Sequence, residues 1–187
     1  MNPAPHPDPV LRPAGPADIV SIQSIYAHHV LYGTASFEEV PPDAVEIERR
    51  YRAIAALGLP YLVAEHDGAI LGYAYLSPYR PRSAYRFTVE DSIYVAPGAE
   101  GRGIGRRLLT ELIGSGTALG MRQMLAVIGD SANRASIALH ERQGFAPVGV
   151  FRSVGFKHGR WLDSVLMQRA LGPGDTVLPS QPAPISR

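Results

Sequence analysis

A strand that runs into a cluster of glycines and then into a helix constrains this chain more than any other feature. Phe87 to Val95 is an apolar run that ends in Ile93-Tyr94-Val95. Ala96 to Glu100 follow, then Gly101-Arg102-Gly103-Ile104-Gly105, then a helical pattern over Arg106 to Leu119. A strand that turns through glycines into a helix leaves several backbone N–H groups unpaired, and the helix dipole adds partial positive charge there. Such a place suits a pyrophosphate, and Arg102, Arg106 and Arg107 add formal charge nearby. The bland alternative is a tight turn with no ligand. Two common phosphate motifs are excluded. A dinucleotide fingerprint needs a third glycine, and its position holds Arg106 counted from Gly101, or Leu108 counted from Gly103. No Gly-Lys followed by Ser or Thr exists for a P-loop.

Elsewhere the chain alternates short apolar runs with turn signals. Leu11 to Pro13 is a strand candidate. Ile19, Ile22, Tyr26 and Val30 recur at the spacing of one helical face, and Val45, Ile47, Tyr51 and Ile54 do the same after Pro42-Asp43. Gly33 to Pro42 reads as loop. Tyr61 to Glu65 and Ala69 to Leu76 flank Asp67-Gly68, a strong hairpin signal. A basic loop, Tyr79 to Arg86, precedes the Phe87 strand. Met124 to Ile128 is a strand and Ala135 to Gln143 a helix closed by Gly144. Phe145 to Arg152 and Trp161 to Arg169 are two last strands around a loop containing Gly155 and Gly159. Antiparallel strands followed by a strand–helix–strand–helix unit predict an α/β (α+β) class in one layered domain, residues 10–171. Flexible tails are expected over 1–9 and 172–187.

Bulk properties narrow the function classes. The 187 residues suit one core, and a formal net charge of +1 gives no field that would draw the chain onto nucleic acid or an anionic membrane. There is no cysteine, hence no disulfide, thiolate metal site or cysteine nucleophile. That fits a reducing compartment. No secretory leader pattern or membrane-spanning apolar stretch is read. His28-His29 tempts towards metal, but adjacent residues on a helix point about 100° apart, so no metal role is expected.

The glycine segment resembles the coenzyme A pyrophosphate loop of the GCN5-related N-acetyltransferases: Gln or Arg, two residues, Gly, any residue, Gly or Ala. Here these positions are Glu100, Gly103 and Gly105. Glu100 departs from the pattern. The loop works through backbone N–H groups, so the departure need not abolish binding. The chain is most similar to the phosphinothricin and methionine sulfoximine acetyltransferase branch. The matching residues are Thr34 and Phe37; Arg80, Arg82, Ala84 and Tyr85; Thr88-Val89-Glu90 and Tyr94-Val95; Ala126 to Gly129; Asn133, Ser136, Leu139-His140-Glu141 and Gly144; and Gly155, Lys157-His158-Gly159 and Trp161.

The resemblance implies a single-domain fold with a mixed, mostly antiparallel central sheet flanked by helices, acetyl-CoA as cosubstrate, and a cytoplasmic homodimer. It implies direct acetyl transfer to the amino group of a small amino-acid-like acceptor. Peptide N-terminal acetylation and a non-catalytic acetyl-CoA-binding module are the alternatives. Glu90 becomes the candidate base. A carboxylate in an apolar strand gains proton affinity by burial, although the same residue could be a structural partner of Arg86. Backbone groups of Ile93, Tyr94 and Val95 would polarise the thioester, following the general logic of preorganised donors. The residues Gly101 to Arg106, with Asn133 and Ser136, would hold the cofactor. Asn133 also suits a helix N-cap. His140 takes the place where many relatives put a thiolate-protonating tyrosine, and it could equally be a packing residue. Arg80 and Arg82 would hold an anionic group on the acceptor, or form a solvated turn. Phe37 and Tyr85 would supply apolar walls. Trp161, Lys157 and His158 stand as pocket cover, dimer contact or core.

Overall fold

The computed structural model describes residues 8–179. The expected tails at 1–7 and 180–187 therefore lie outside the described residues. The segment 172–179 forms turns, with the Arg122 guanidinium donating to the Gly174 carbonyl at 3.1 Å.

Among the described residues, seven strands make one sheet. They are β1 (Val10–Pro13), β2 (Tyr61–His66), β3 (Ala69–Pro78), β4 (Thr88–Val95), β5 (Gln123–Gly129), β6 (Ala146–Lys157) and β7 (Arg160–Ala170), in the order β1-β2-β3-β4-β5-β7-β6. Every neighbouring pair is antiparallel except β4 and β5. Four helices flank the sheet: α1 (Ile19–Tyr32), α2 (Ala44–Ala56), α3 (Ile104–Ala118) and α4 (Arg134–Arg142).

Strand alternation sends side chains to two cores. Tyr61, Val63 and Tyr73 pack with Ile22, Ile25, Val30 and Ile47 of α1 and α2. Leu62, Ala64, Ala74 and Leu76 pack with Leu108, Leu109 and Leu112 of α3. The α1 positions Ile19, Ile22, Tyr26 and Val30 are buried, as their spacing predicts. Asp43 caps α2 by accepting from the Glu46 N–H at 2.8 Å. Asp67 and Gly68 both adopt positive φ, 48° and 78°, which gives the twist a two-residue hairpin needs.

Two expectations are corrected. Helix α3 begins at Ile104, two residues before the predicted start, because Gly103 at φ 76° acts as its left-handed entry. The loop predicted between Arg152 and Trp161 is mostly strand: β6 continues to Lys157 and only His158-Gly159 turn, at φ 52° and 73°. The strand survives the break at Ser153 (φ 52°) because Asp163 accepts the Ser153 N–H at 3.0 Å and Arg152 at 2.9 Å.

The parallel pair positions the site. Its register runs Thr88↔Gln123, Val89↔Met124, Glu90↔Leu125 and Asp91↔Ala126, and then stops. Strand β4 continues to Val95 and β5 to Gly129 without pairing each other. The strands part just after Asp91, one residue past Glu90.

Candidate active site

A cleft of about 970 Å³ opens where β4 and β5 separate. At one end it is lined by Gly101, Gly103, Ile104, Gly105 and Arg106; at the other by Phe37, Glu38, Tyr75 and Glu90. Ile93, Tyr94 and Val95 lie between, and Asn133, Ser136 and His140 of α4 close the far wall.

The glycine end is a backbone site. Gly101 and Gly103 have φ of 73° and 76°, conformations that side chains rarely adopt. The first turn of α3 thus presents its free N–H groups to the cleft. Glu100 turns its carboxylate back to accept the Gly98 N–H at 2.7 Å. That bond ties the acid into its own turn, although Glu100 still borders the glycine end of the cleft. Arg106 lines the cleft, but Arg102 is exposed and does not. Asn133 caps α4, accepting the Ser136 N–H at 3.2 Å, and both residues line the cleft.

Glu90 is partly buried, and among the described residues it makes no ion pair. Its expected structural partner Arg86 instead donates to the Ser83 carbonyl at 3.2 Å and sits over the Phe87 ring. Burial, with a smaller contribution from the neighbouring Asp91 charge, pushes the Glu90 carboxyl up to about 7. A carboxylate of that strength accepts a proton near neutral pH.

His140, read as a thiolate-protonating or a packing residue, is a member of a buried pair. Its Nδ1 donates to the Ser136 carbonyl at 2.8 Å, and its Nε2 lies 3.0 Å from the Asp91 carboxylate. The side chains are 5% and 2% exposed. Burial lowers the proton affinity of the ring, but the Asp91 hydrogen bond and charge outweigh that, and the net direction is upward. An imidazolium with both N–H groups engaged cannot reach a thiolate without breaking a bond.

Arg80, Arg82 and Tyr85 are also displaced from expectation. They are exposed on the β3–β4 connection and do not line the cleft. The Arg80 guanidinium stacks over Tyr79 at 5.1 Å, and Tyr79 meets Tyr85 edge-on at 5.4 Å. A solvated guanidinium has no buried partner to draw it inward.

Lining residues that the sequence reading gave no part in the site include His29, Glu38, Tyr75 and Asp91. Asp91 had a signal, since two consecutive acids in an apolar strand must face opposite sides of the sheet. His29, whose Nε2 lies 2.9 Å from the Val95 carbonyl, was weighed only as a metal ligand. No group of three or more potential ligands for a metal ion occurs among the described residues.

The acetyltransferase (GNAT) family matches residues 22–145, two thirds of the chain. The chain belongs to the GNAT acetyltransferase family. Among GNAT relatives, the phosphinothricin N-acetyltransferase of Alcaligenes faecalis is 59% identical over 162 residues, covering 87% of this chain and 82% of that protein. An L-methionine sulfoximine/L-methionine sulfone acetyltransferase of Salmonella typhimurium is 40% identical over 161 residues, covering 86% and 94%. A phosphinothricin acetyltransferase from Sinorhizobium meliloti, solved in complex with acetyl-CoA, superposes with a TM-score of 0.91 at 50% identity, over 95% of this chain and 96% of that one. The acetyl donor of this GNAT enzyme is acetyl-CoA. The cleft fits it: a glycine-built helix start for a pyrophosphate, then a strand edge whose backbone groups from Ser92 to Val95 have no partner on the β5 side.

Proposed function

We propose that this acetyl-CoA-dependent N-acetyltransferase acetylates the amino group of a small amino-acid-like acceptor of the phosphinothricin or methionine sulfoximine type. The observation that carries the reading is Glu90. An unpaired, partly buried carboxyl stands where β4 and β5 part, between the glycine end of the cleft and the wall of Phe37, Glu38 and Tyr75.

Glu90 takes a proton from the acceptor's ammonium, directly or through a water. The freed amine attacks the thioester carbonyl, whose developing negative charge is met by the N–H groups of Ile93 and Val95, which face the open side of β4. The C–S bond then breaks, the amine's second proton is lost, and the thiolate takes a proton from the site. Gly101 to Arg106 orient the pyrophosphate, and Asn133 and Ser136 border the arm that joins it to the thioester. Arg80 and Arg82 stand outside the cleft wall and guide an anionic acceptor towards its open end.

The reading includes a homodimer in the cytoplasm. The edge strand β6 exposes Val148, Phe151, Val154 and Phe156, with Trp161 beside them, an apolar strip that a second copy would cover. No described helix is long and apolar enough to cross a membrane. Thiol release from acetyl-CoA, followed with phosphinothricin, methionine sulfoximine and peptide N-termini, tests the acceptor. The expected result is turnover with the first two; turnover with peptides alone would overturn it. Sedimentation should give twice the chain mass of 20.2 kDa.

A further inference from the structure

The acceptor end of the cleft has a wall that does not belong to the sheet. It is the segment from Gly33 to Glu38, after α1, and nothing in its own sequence makes it rigid. The structure docks it on the β6–β7 hairpin from several directions. Lys157, 121 residues away, donates from Nζ to the Ser36 carbonyl at 2.7 Å. His158 Nε2 donates to the Gly33 carbonyl at 3.2 Å. The Ser36 hydroxyl lies 2.8 Å from that of Tyr26 and accepts the Glu38 N–H at 3.2 Å.

Two glycines complete the dock. A β-carbon on Gly155 would stand 2.5 Å from the Phe37 ring, and one on Gly129 would stand 2.1 Å from the Thr34 carbonyl oxygen. Gly155 has no positive φ to explain it. Its missing side chain is the space that Phe37 occupies.

Lys157 is the informative residue. It is 2% exposed, and burial lowers its proton affinity while Glu39 and Glu38 partly restore it. A buried ammonium is costly unless its hydrogen bond is needed, and a methionine would fill the same stem volume. The hydrogen bond it makes goes to the loop that carries Phe37 and Glu38 into the cleft opposite Glu90.

We propose that Lys157 is a positioning residue for the acceptor, clamping the Gly33–Glu38 segment, and that Gly155 sets the depth of the Phe37 ring and so the width of the acceptor pocket. The proposal rests on the acetyltransferase reading above. It assigns the hairpin to acceptor recognition and leaves the cofactor end independent of it.

Steady-state kinetics of the full-length enzyme with acetyl-CoA and phosphinothricin provide the test. Lys157→Met should raise the acceptor KM about tenfold or more, the scale of one lost charge-assisted hydrogen bond, with the acetyl-CoA KM held within about twofold. Gly155→Ala should raise the acceptor KM as well, and that effect should vanish in a Phe37→Ala background, where no ring is left to displace. An unchanged acceptor KM in a folded Lys157→Met, or a Gly155→Ala penalty that persists without Phe37, overturns the proposal. If the wild type acetylates none of the amino-acid acceptors, the acceptor assignment fails instead. The clamp is then read by hydrogen exchange: residues 33–38 should exchange faster in Lys157→Met than in the wild type, and equal rates refute it.

Discussion

At the glycine end of the cleft, one continuous stretch from Ser92 to Arg106 supplies the strand edge, the turn and the helix start, and its working groups are backbone N–H groups. At the acceptor end, Phe37 and Glu38, Tyr75, Glu90 and the supporting Lys157 come from three strands and a loop scattered over 121 residues of chain. The first end depends on where glycine is allowed. The second depends on side chains that meet only once the sheet is complete. A cofactor common to many reactions is held by groups that any sequence carries, and the variable acceptor is held by groups that a single substitution changes. The two ends should therefore fail separately.

The largest effect is expected at their junction. Glu90→Gln keeps size and hydrogen bonding but removes the basic lone pair. The kcat at neutral pH should fall by about 10²–10⁴, the range for a positioned base, with the acetyl-CoA KM unchanged. In the wild type, kcat/KM should decline as the pH drops through about 7, because the base works only when ionised. Raising the pH should return part of the variant's loss, since solvent then deprotonates the amine. Stability carries the opposite sign. A carboxyl whose folded value is raised from 4.5 to about 7 makes its ionised form a burden on the fold above pH 7. Glu90→Gln should raise the Tm at pH 8, and the gain should fade as the pH falls towards 4.5. Near-full activity at neutral pH would remove Glu90 from the mechanism.

Next comes the glycine end. Gly103→Ala places a β-carbon at φ 76°, a strain of roughly 1–2 kcal/mol at the turn that starts α3. The acetyl-CoA KM should rise about tenfold and the acceptor KM should not move. A rise in both would mean that the two ends are coupled, and the comparison above would break.

The same contrast explains what the sequence could show. The glycine end was legible because its chemistry is local: strand, glycines and helix follow one another in the chain. Asp67-Gly68 was legible for the same reason, whereas His158-Gly159 lacks the Asn or Asp that marks a two-residue hairpin and was placed only within a longer loop. Glu90 was found through the resemblance, because an acid in an apolar strand taken alone suits an ion pair equally well. The Asp91–His140 pair, 49 residues apart, and the seating of Phe37 on Gly155 were not visible, since no periodicity records which strands become neighbours. Arg80 and Arg82 were singled out through the resemblance and the bidentate chemistry of arginine, and both are exposed outside the cleft lining.

A smaller effect is expected at the buried pair. Asp91→Asn can still bond the His140 ring, but to its neutral form, with Nδ1 donating to Ser136 as before. The imidazole proton affinity, followed by NMR, should fall. The wild-type pair stabilises the fold below the ordinary histidine value of 6.5, and that contribution is lost as the pH rises through the raised folded value. The variant should therefore lose more Tm at pH 6 than at pH 9, with kcat reduced only a few-fold. A hundred-fold loss of kcat would give the pair a direct part in proton transfer.

The smallest effect concerns Glu100, where the chain departs from the loop pattern. Its carboxylate accepts the Gly98 N–H within its own turn, at an exposed position beside the glycine end of the cleft. Two influences oppose each other. The hydrogen bond holds the turn, and the charge repels a pyrophosphate. For an exposed group each is worth no more than about 1 kcal/mol. Glu100→Gln keeps an oxygen that can accept the same N–H and removes the charge, so only the repulsion changes. The acetyl-CoA KM should fall by about two- to threefold at low salt. The advantage should shrink as ionic strength approaches 1 M, where charges separated by more than about 3 Å are screened. Glu100→Ala loses the hydrogen bond too and should give back part of that gain. If Gln and Ala behave alike and neither responds to salt, the carboxylate does not see the phosphates, and the glycine end is indifferent to this position. If Gln weakens acetyl-CoA binding, the acid is needed to shape the turn, and side chains then matter at the end of the cleft that the backbone was supposed to govern.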